Sequence, residues 1–140
     1  MIILLPLIFL FLAAVSDMRY YKIPNYLVLL LIITGIISMI TLHNITEKLI
    51  GLFFPSIILL FPYSKSKIGA GDIKLVSSLG LIYGYKLNTI LFLLSIFIAL
   101  IFNRIFYLIK KQSPNPGTLP LAPFVFVSYM VSVLLRIIFN

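Results

Sequence analysis

IILLPLIFLFLAAVSDMRYYK, residues 2–22, is the stretch whose reading decides the fold. Stopped at Ser16, the apolar run makes a helix of about 24 Å at 1.5 Å per residue, short of the ~30 Å hydrocarbon core of a bilayer. Continued to Lys22 it reaches roughly 31 Å, which spans. Asp17 then lies inside this first helix, near its end. Pro24 disfavours helical geometry at Ile23 and gives the helix a physical stop. The alternative for residues 1–16 is a signal-peptide core leaving through Ala13-Ala14-Val15-Ser16. No Lys or Arg precedes the run, and further apolar runs follow it, so either reading makes a membrane protein.

Outward from this stretch, apolar runs recur at about 26–43, 47–63, 72–85, 87–109 and 119–139, the fourth short and more polar than the rest. The pattern predicts an all-α, polytopic membrane protein of six helices, with residues 1–140 forming one domain. Composition agrees: 62% of the 140 residues are hydrophobic and 10% are charged. The 11 basic residues against 3 acidic ones do not point to nucleic acid, because so apolar a chain has no surface for a basic groove. Their distribution is better read as topology. With zero cysteines there is no disulfide or thiolate site, and His43 with three scattered acids makes a poor metal centre, so neither metal nor cofactor is expected.

An N-terminus outside puts Arg19, Lys22, Lys65, Lys67, Lys74, Arg104, Lys110 and Lys111 on or near the cytoplasmic side. Lys48, Lys86 and Arg136 fall outside. The positive-inside rule therefore favours N-out, C-out in the plasma (inner) membrane, in contact with lipid. Ser113-Pro114-Asn115-Pro116-Gly117 reads as a turn-rich cytoplasmic loop. Asp17 and the segment around Asp72 then meet at one face.

Glu47 has a structural explanation, since Asn44 as N-cap with Glu47 three residues on makes a capping-box-like helix start. His43 reads as a solvated loop residue. Asp17 read structurally is an interfacial carboxylate paired with Arg19 or Lys22, and Asp72 is the N-cap of helix 4. Both acids nevertheless sit at the edge of an apolar span, on one face, in a chain with almost no other acid. An ionisable group at membrane depth points to function. Asp72 is approached through Lys67-Ile68-Gly69-Ala70-Gly71, a spacing that fits neither the dinucleotide nor the P-loop pattern. Glycines there permit positive φ and close backbone approach, so that an extended substrate can lie beside a carboxylate. Gly80 and Gly84, with Ser77 nearby, read as a close helix-packing face.

These residues resemble the type IV prepilin peptidases, membrane aspartyl proteases of the Gly-x-Gly-Asp type. Asp17-Met18-Arg19 with Ile23-Pro24-Asn25 looks like the family's first motif, and Gly69-Ala70-Gly71-Asp72-Ile73-Lys74-Leu75 like its second. Leu79-Gly80-Leu81 and Gly84 continue the second, and Pro120-Leu121-Ala122-Pro123-Phe124 is similar to the opening of the family's last helix. Larger members carry a cysteine-containing cytosolic insert between the first two helices and also N-methylate the new pilin terminus. Here helix 2 follows Lys22 almost at once. The chain looks like the small form, similar to enzymes serving Flp-type pili or, less closely, to archaeal preflagellin peptidases, and methyltransferase activity is not implied.

The resemblance implies endopeptidase cleavage of a short basic prepilin leader at the cytoplasmic membrane boundary. Asp17 and Asp72 would be the catalytic pair, with Gly69, Gly71, Lys74 and Arg19 near the substrate and Pro24, Asn25 and Pro123 as structural motif positions. Helix ends suggest a division of labour: Asp17 lies toward the negative end of helix 1 and Asp72 at the positive end of helix 4, so Asp72 is expected as the base and Asp17 as the proton-bearing acid. Lys74 either snorkels to lipid phosphates or meets an acidic group on the substrate. A proton- or ion-coupled transporter is the reading from another class, and an inactive scaffold for pilus assembly is a third. The oligomeric state and the particular pilin are not legible.

Overall fold

The structure, a computed structural model, describes residues 4–42, 44–63, 69–110 and 120–138. His43, Lys65, Lys67, Ile68, Lys111 and the turn at Ser113–Gly117 lie outside the described residues. The described chain is all-helical: α1 (Leu4–Tyr20), α2 (Asn25–Leu42), α3 (Ile45–Tyr63), α4 (Ala70–Tyr83), α5 (Tyr85–Lys110) and α6 (Ala122–Ile138). Tyr85–Ile105, 21 residues, is long and apolar enough by itself to cross a membrane, while Asn25–Thr41 and Ala122–Leu135 are apolar but shorter.

Neighbouring helices form a closed circuit, α1 to α2 to α4 to α5 to α6 and back to α1, with α3 packed on α4 and α5. Its centre is filled by Leu10 and Ala13 of α1, Leu27 and Leu31 of α2, Leu75 and Leu79 of α4, Leu91 and Phe92 of α5, and Val125 and Tyr129 of α6. The opposite surface of the helices carries large apolar side chains too, including Ile8, Phe11, Ile40, Phe53, Ile90, Phe97 and Leu100. A bundle apolar inside and out lacks the polar face that a surface helix of a water-soluble protein presents.

Several helix ends differ from the sequence expectation by one to three residues, two of them beside the aspartates. α1 stops at Tyr20 rather than Lys22, because Tyr21 adopts a left-handed φ of 51° and its N–H bonds the Asp17 carbonyl at 2.9 Å. That is the αL form of helix termination, normally given to glycine. α4 starts at Ala70 rather than at 72, with Gly69 as its N-cap in an extended conformation (φ −73°, ψ 145°). Asp72 is therefore the third helical residue, not the N-cap.

Gly80 fulfils its expected role as a packing position. A methyl group there would collide with the carbonyl oxygen of Gly51, so α3 and α4 approach backbone to backbone. Gly84 also looks toward α3, where a Cβ would lie 3.9 Å from Glu47, and it has a second role. It caps α4 with φ 80° and turns the chain directly into α5, a conformation that favours a residue without a Cβ.

At the end of the bundle away from the aspartates, most polar groups among the described residues are paired, Tyr83 Oη excepted. Glu47 forms an ion pair with Lys86 across α3 and α5 at 3.6 Å, in place of the expected link back to Asn44. Lys48, expected on the outer side, is only 4% exposed and donates to Ser38 Oγ of α2 at 2.6 Å. Asn88 of α5 donates to the Val76 carbonyl of α4 at 3.2 Å and accepts from the Tyr129 hydroxyl of α6.

Candidate active site

Both sequence-predicted aspartates lie at one end of the bundle, where α1 ends and α4 and α6 begin. Asp17 sits on the last turn of α1 and is 6% exposed. Its Oδ2 accepts from the backbone N–H of Ala122 at 3.1 Å, and the N–H of Leu121 is near enough to favour the carboxylate's charge. The local sequence explains the arrangement. A helix start leaves its first N–H groups without intrahelical partners. Pro120 and Pro123 have none to offer, so the two donors between them, Leu121 and Ala122, remain; Ala122 bonds Asp17 and Leu121 lies beside it. The Leu121 carbonyl accepts from Phe124 and Val125, each at 3.1 Å, and so begins the helix. Among the described residues the ion pair is Glu47–Lys86, so Asp17 is satisfied by α6 rather than by Arg19 or Lys22.

Asp72 is half-buried and turns back on the start of its own helix. Its N–H donates to the Gly69 carbonyl at 3.1 Å, and its carboxylate accepts from the Gly69 N–H. This is the reciprocal half of a capping box, with glycine in the capping position. The two aspartate carboxylates are near enough to interact electrostatically.

The other motif positions serve the meeting of α4 with the turn between α1 and α2. A Cβ on Gly71 would lie 3.3 Å from Cβ of Ile23, so this glycine is spent on close approach to Ile23. Lys74 Nζ donates to Asn25 Oδ1 at 3.3 Å, linking α4 to the first residue of α2. Ile23-Pro24-Asn25 is thus the seat on which the Asp72 segment rests. Ser16 Oγ adds a bond to the Lys22 carbonyl at 3.0 Å that holds the same turn. Gly69 is different: among the described residues a Cβ there would meet Asp72 Oδ2 at 3.4 Å and the Gly71 nitrogen at 4.0 Å, both ordinary contacts. Arg19 and Lys22 are exposed beside this end.

The contribution of Leu121 and Ala122 was not singled out by the sequence reading, since backbone donors leave no side-chain signature. The two prolines three positions apart were the available signal. The helix-end comparison between the aspartates also changes, because Asp17 faces the start of α6 just as Asp72 faces the start of α4, and that argument no longer separates them.

Comparison with the curated proteins and with the solved structures gave no match. The family model described as the type IV leader peptidase family matches residues 4–103, a segment that contains both aspartates and ends within α5. With that match over most of its length, the chain belongs to the type IV leader peptidase family.

Proposed function

We propose that the protein is an aspartic endopeptidase, with Asp17 and Asp72 as the catalytic pair, that removes a short basic leader from Flp-type prepilins at the cytoplasmic face of the plasma membrane. The observation that carries this reading is the convergence of two carboxylates, 55 positions apart in the chain, at one end of the bundle in electrostatic contact. Carboxylates held this way do not both ionise, so the pair retains one proton and works as a unit.

The reaction follows from that shared proton. The ionised carboxylate takes a proton from a water, whose oxygen attacks the scissile carbonyl carbon while the protonated carboxyl gives its proton to the carbonyl oxygen. The tetrahedral diol then collapses: the C–N bond breaks, the leaving nitrogen gains a proton, and a carboxylic acid and an amine result. Exposed Gly69 leaves room beside Asp72 for an extended peptide. Arg19 stands at the same end, as does Lys74, which the bond to Asn25 already holds.

A multi-pass, N-out, C-out placement accounts for the apolar outer surface and for the cluster of Arg19, Lys22, Lys74 and Arg104 at the aspartate end. α4, at 14 residues, is about 21 Å long. That is less than a bilayer core, which sets Asp72 below the ends of its longer neighbours. The test is co-expression with a prepilin and electrophoresis for leader removal: the unaltered chain shortens the prepilin, and Asp17→Asn or Asp72→Asn leaves it at full length. Processing that survives either change defeats the proposal.

A further inference from the structure

Two asparagines on α5 are treated differently by the fold. Asn88 is fully buried and uses both ends of its carboxamide, on Val76 of α4 and Tyr129 of α6. Asn103 lies roughly four turns further along, rotated by only about 60° from Asn88, so it projects from the same half of the helix, toward α4 and α6. Its Oδ1 is buried and has no hydrogen-bond partner among the described residues. A buried acceptor left unmatched is costly, and the great majority of such groups in folded proteins find a partner.

Neighbouring contacts fix the level of Asn103 in the bundle. The preceding residue, Phe102, packs its ring on Phe124 at a centroid separation of 5.5 Å. Phe124 stands two positions after Ala122, whose N–H holds Asp17. Asn103 is therefore level with the first turn of α6, at the end of the bundle where the aspartates meet. The unused acceptor is at the site end, and the matched asparagine is at the other.

We propose that Asn103 is a substrate-binding residue whose Oδ1 accepts a hydrogen bond from a backbone N–H of the extended peptide lying across the aspartate end. The inference rests on the reading of that end as a peptidase site. A carboxamide oxygen suits a main-chain N–H because it accepts without charge and is indifferent to the side chain, which fits binding along a strand-like peptide rather than selection of one residue.

The experiment uses the full chain in detergent or lipid and a peptide spanning the leader junction. Asn103→Leu and Asn103→Ser are compared with the unaltered protein for kcat, KM and thermal unfolding. Loss of one neutral hydrogen bond raises KM about fivefold with kcat little changed. Because the lost acceptor had no partner among the described residues, Tm holds or rises, which a purely structural role would not give. N-methylation of the contacted peptide bond costs the unaltered protein the same factor and costs Asn103→Leu nothing further. An unchanged KM in both variants overturns the proposal, as does a loss that tracks Tm. A fall in kcat alone, pointing to the attacking water as the donor, overturns it as well. If Asp17→Asn and Asp72→Asn abolish cleavage while KM ignores Asn103, this inference fails and the site reading stands. If cleavage survives both aspartate changes, the site reading itself has failed.

Discussion

The two ends of this bundle are built to different rules. At the end where α2 meets α3 and α4 turns into α5, Glu47 is paired with Lys86, Lys48 with Ser38, and Asn88 with both of its neighbours. Tyr83 Oη, buried against Tyr129, is the exception there among the described residues. At the aspartate end, Asn103 keeps an unused acceptor, Asp72 is half-buried beside an open glycine, and Tyr21 holds a left-handed backbone. The first end spends most of its polar groups on helix packing, whereas the second leaves Asn103 Oδ1 unmatched among the described residues, as the proposed peptide site requires. Stability and chemistry are therefore separable by position along the helix axes.

The largest break in that division is expected from glycine. Gly80→Ala places a methyl group against the Gly51 carbonyl and forces α3 from α4, costing about 2–3 kcal/mol. Thermal unfolding and yield report it, and activity falls only with the folded fraction. Gly69→Ala at the aspartate end makes only ordinary contacts with the described residues, at 3.4 Å or more, so stability changes by less than about 1 kcal/mol while cleavage falls. Equal loss of stability in the two variants would erase the contrast.

Next in size is Asn88→Leu, which strands the Tyr129 hydroxyl and the Val76 carbonyl and costs about 1–3 kcal/mol in denaturation. This is opposite in sign to the stability change expected at Asn103, four turns away. The smallest effect belongs to Tyr21→Gly. It relieves a left-handed non-glycine residue and raises stability by about 1 kcal/mol, since the exposed Tyr21 side chain packs little. A fall in Tm on that change would show that the tyrosine ring holds the turn.

Much of this was legible in the chain. The apolar runs marked all six helices because an apolar stretch bounded by prolines, glycines or charges has few other structures open to it; their ends moved by one to three residues. Asp17 and Asp72 stood out because acids are so scarce here. Other features were hidden for physical reasons. A tyrosine gives no hint of a left-handed φ, so the true stop of α1 was missed. Gly84 follows Gly80 at helix spacing, and spacing alone does not distinguish a packing glycine from a turn. Lys48 was placed only on the outer side, because only packing reveals that it is buried against Ser38 of α2. The N–H groups of Leu121 and Ala122 are backbone, common to every residue, and only the flanking prolines marked them.

The central claim is that Asp17 and Asp72 act as one catalytic unit, and a kinetic double-mutant cycle tests it most directly. The measured quantity is kcat/KM for leader cleavage by Asp17→Asn, Asp72→Asn and the double variant. Each single change is expected to cost on the order of 10³-fold or more, and the double variant to be no slower than the slower single. Losses that multiply in the double variant, or a single variant that retains cleavage, would contradict the pairing.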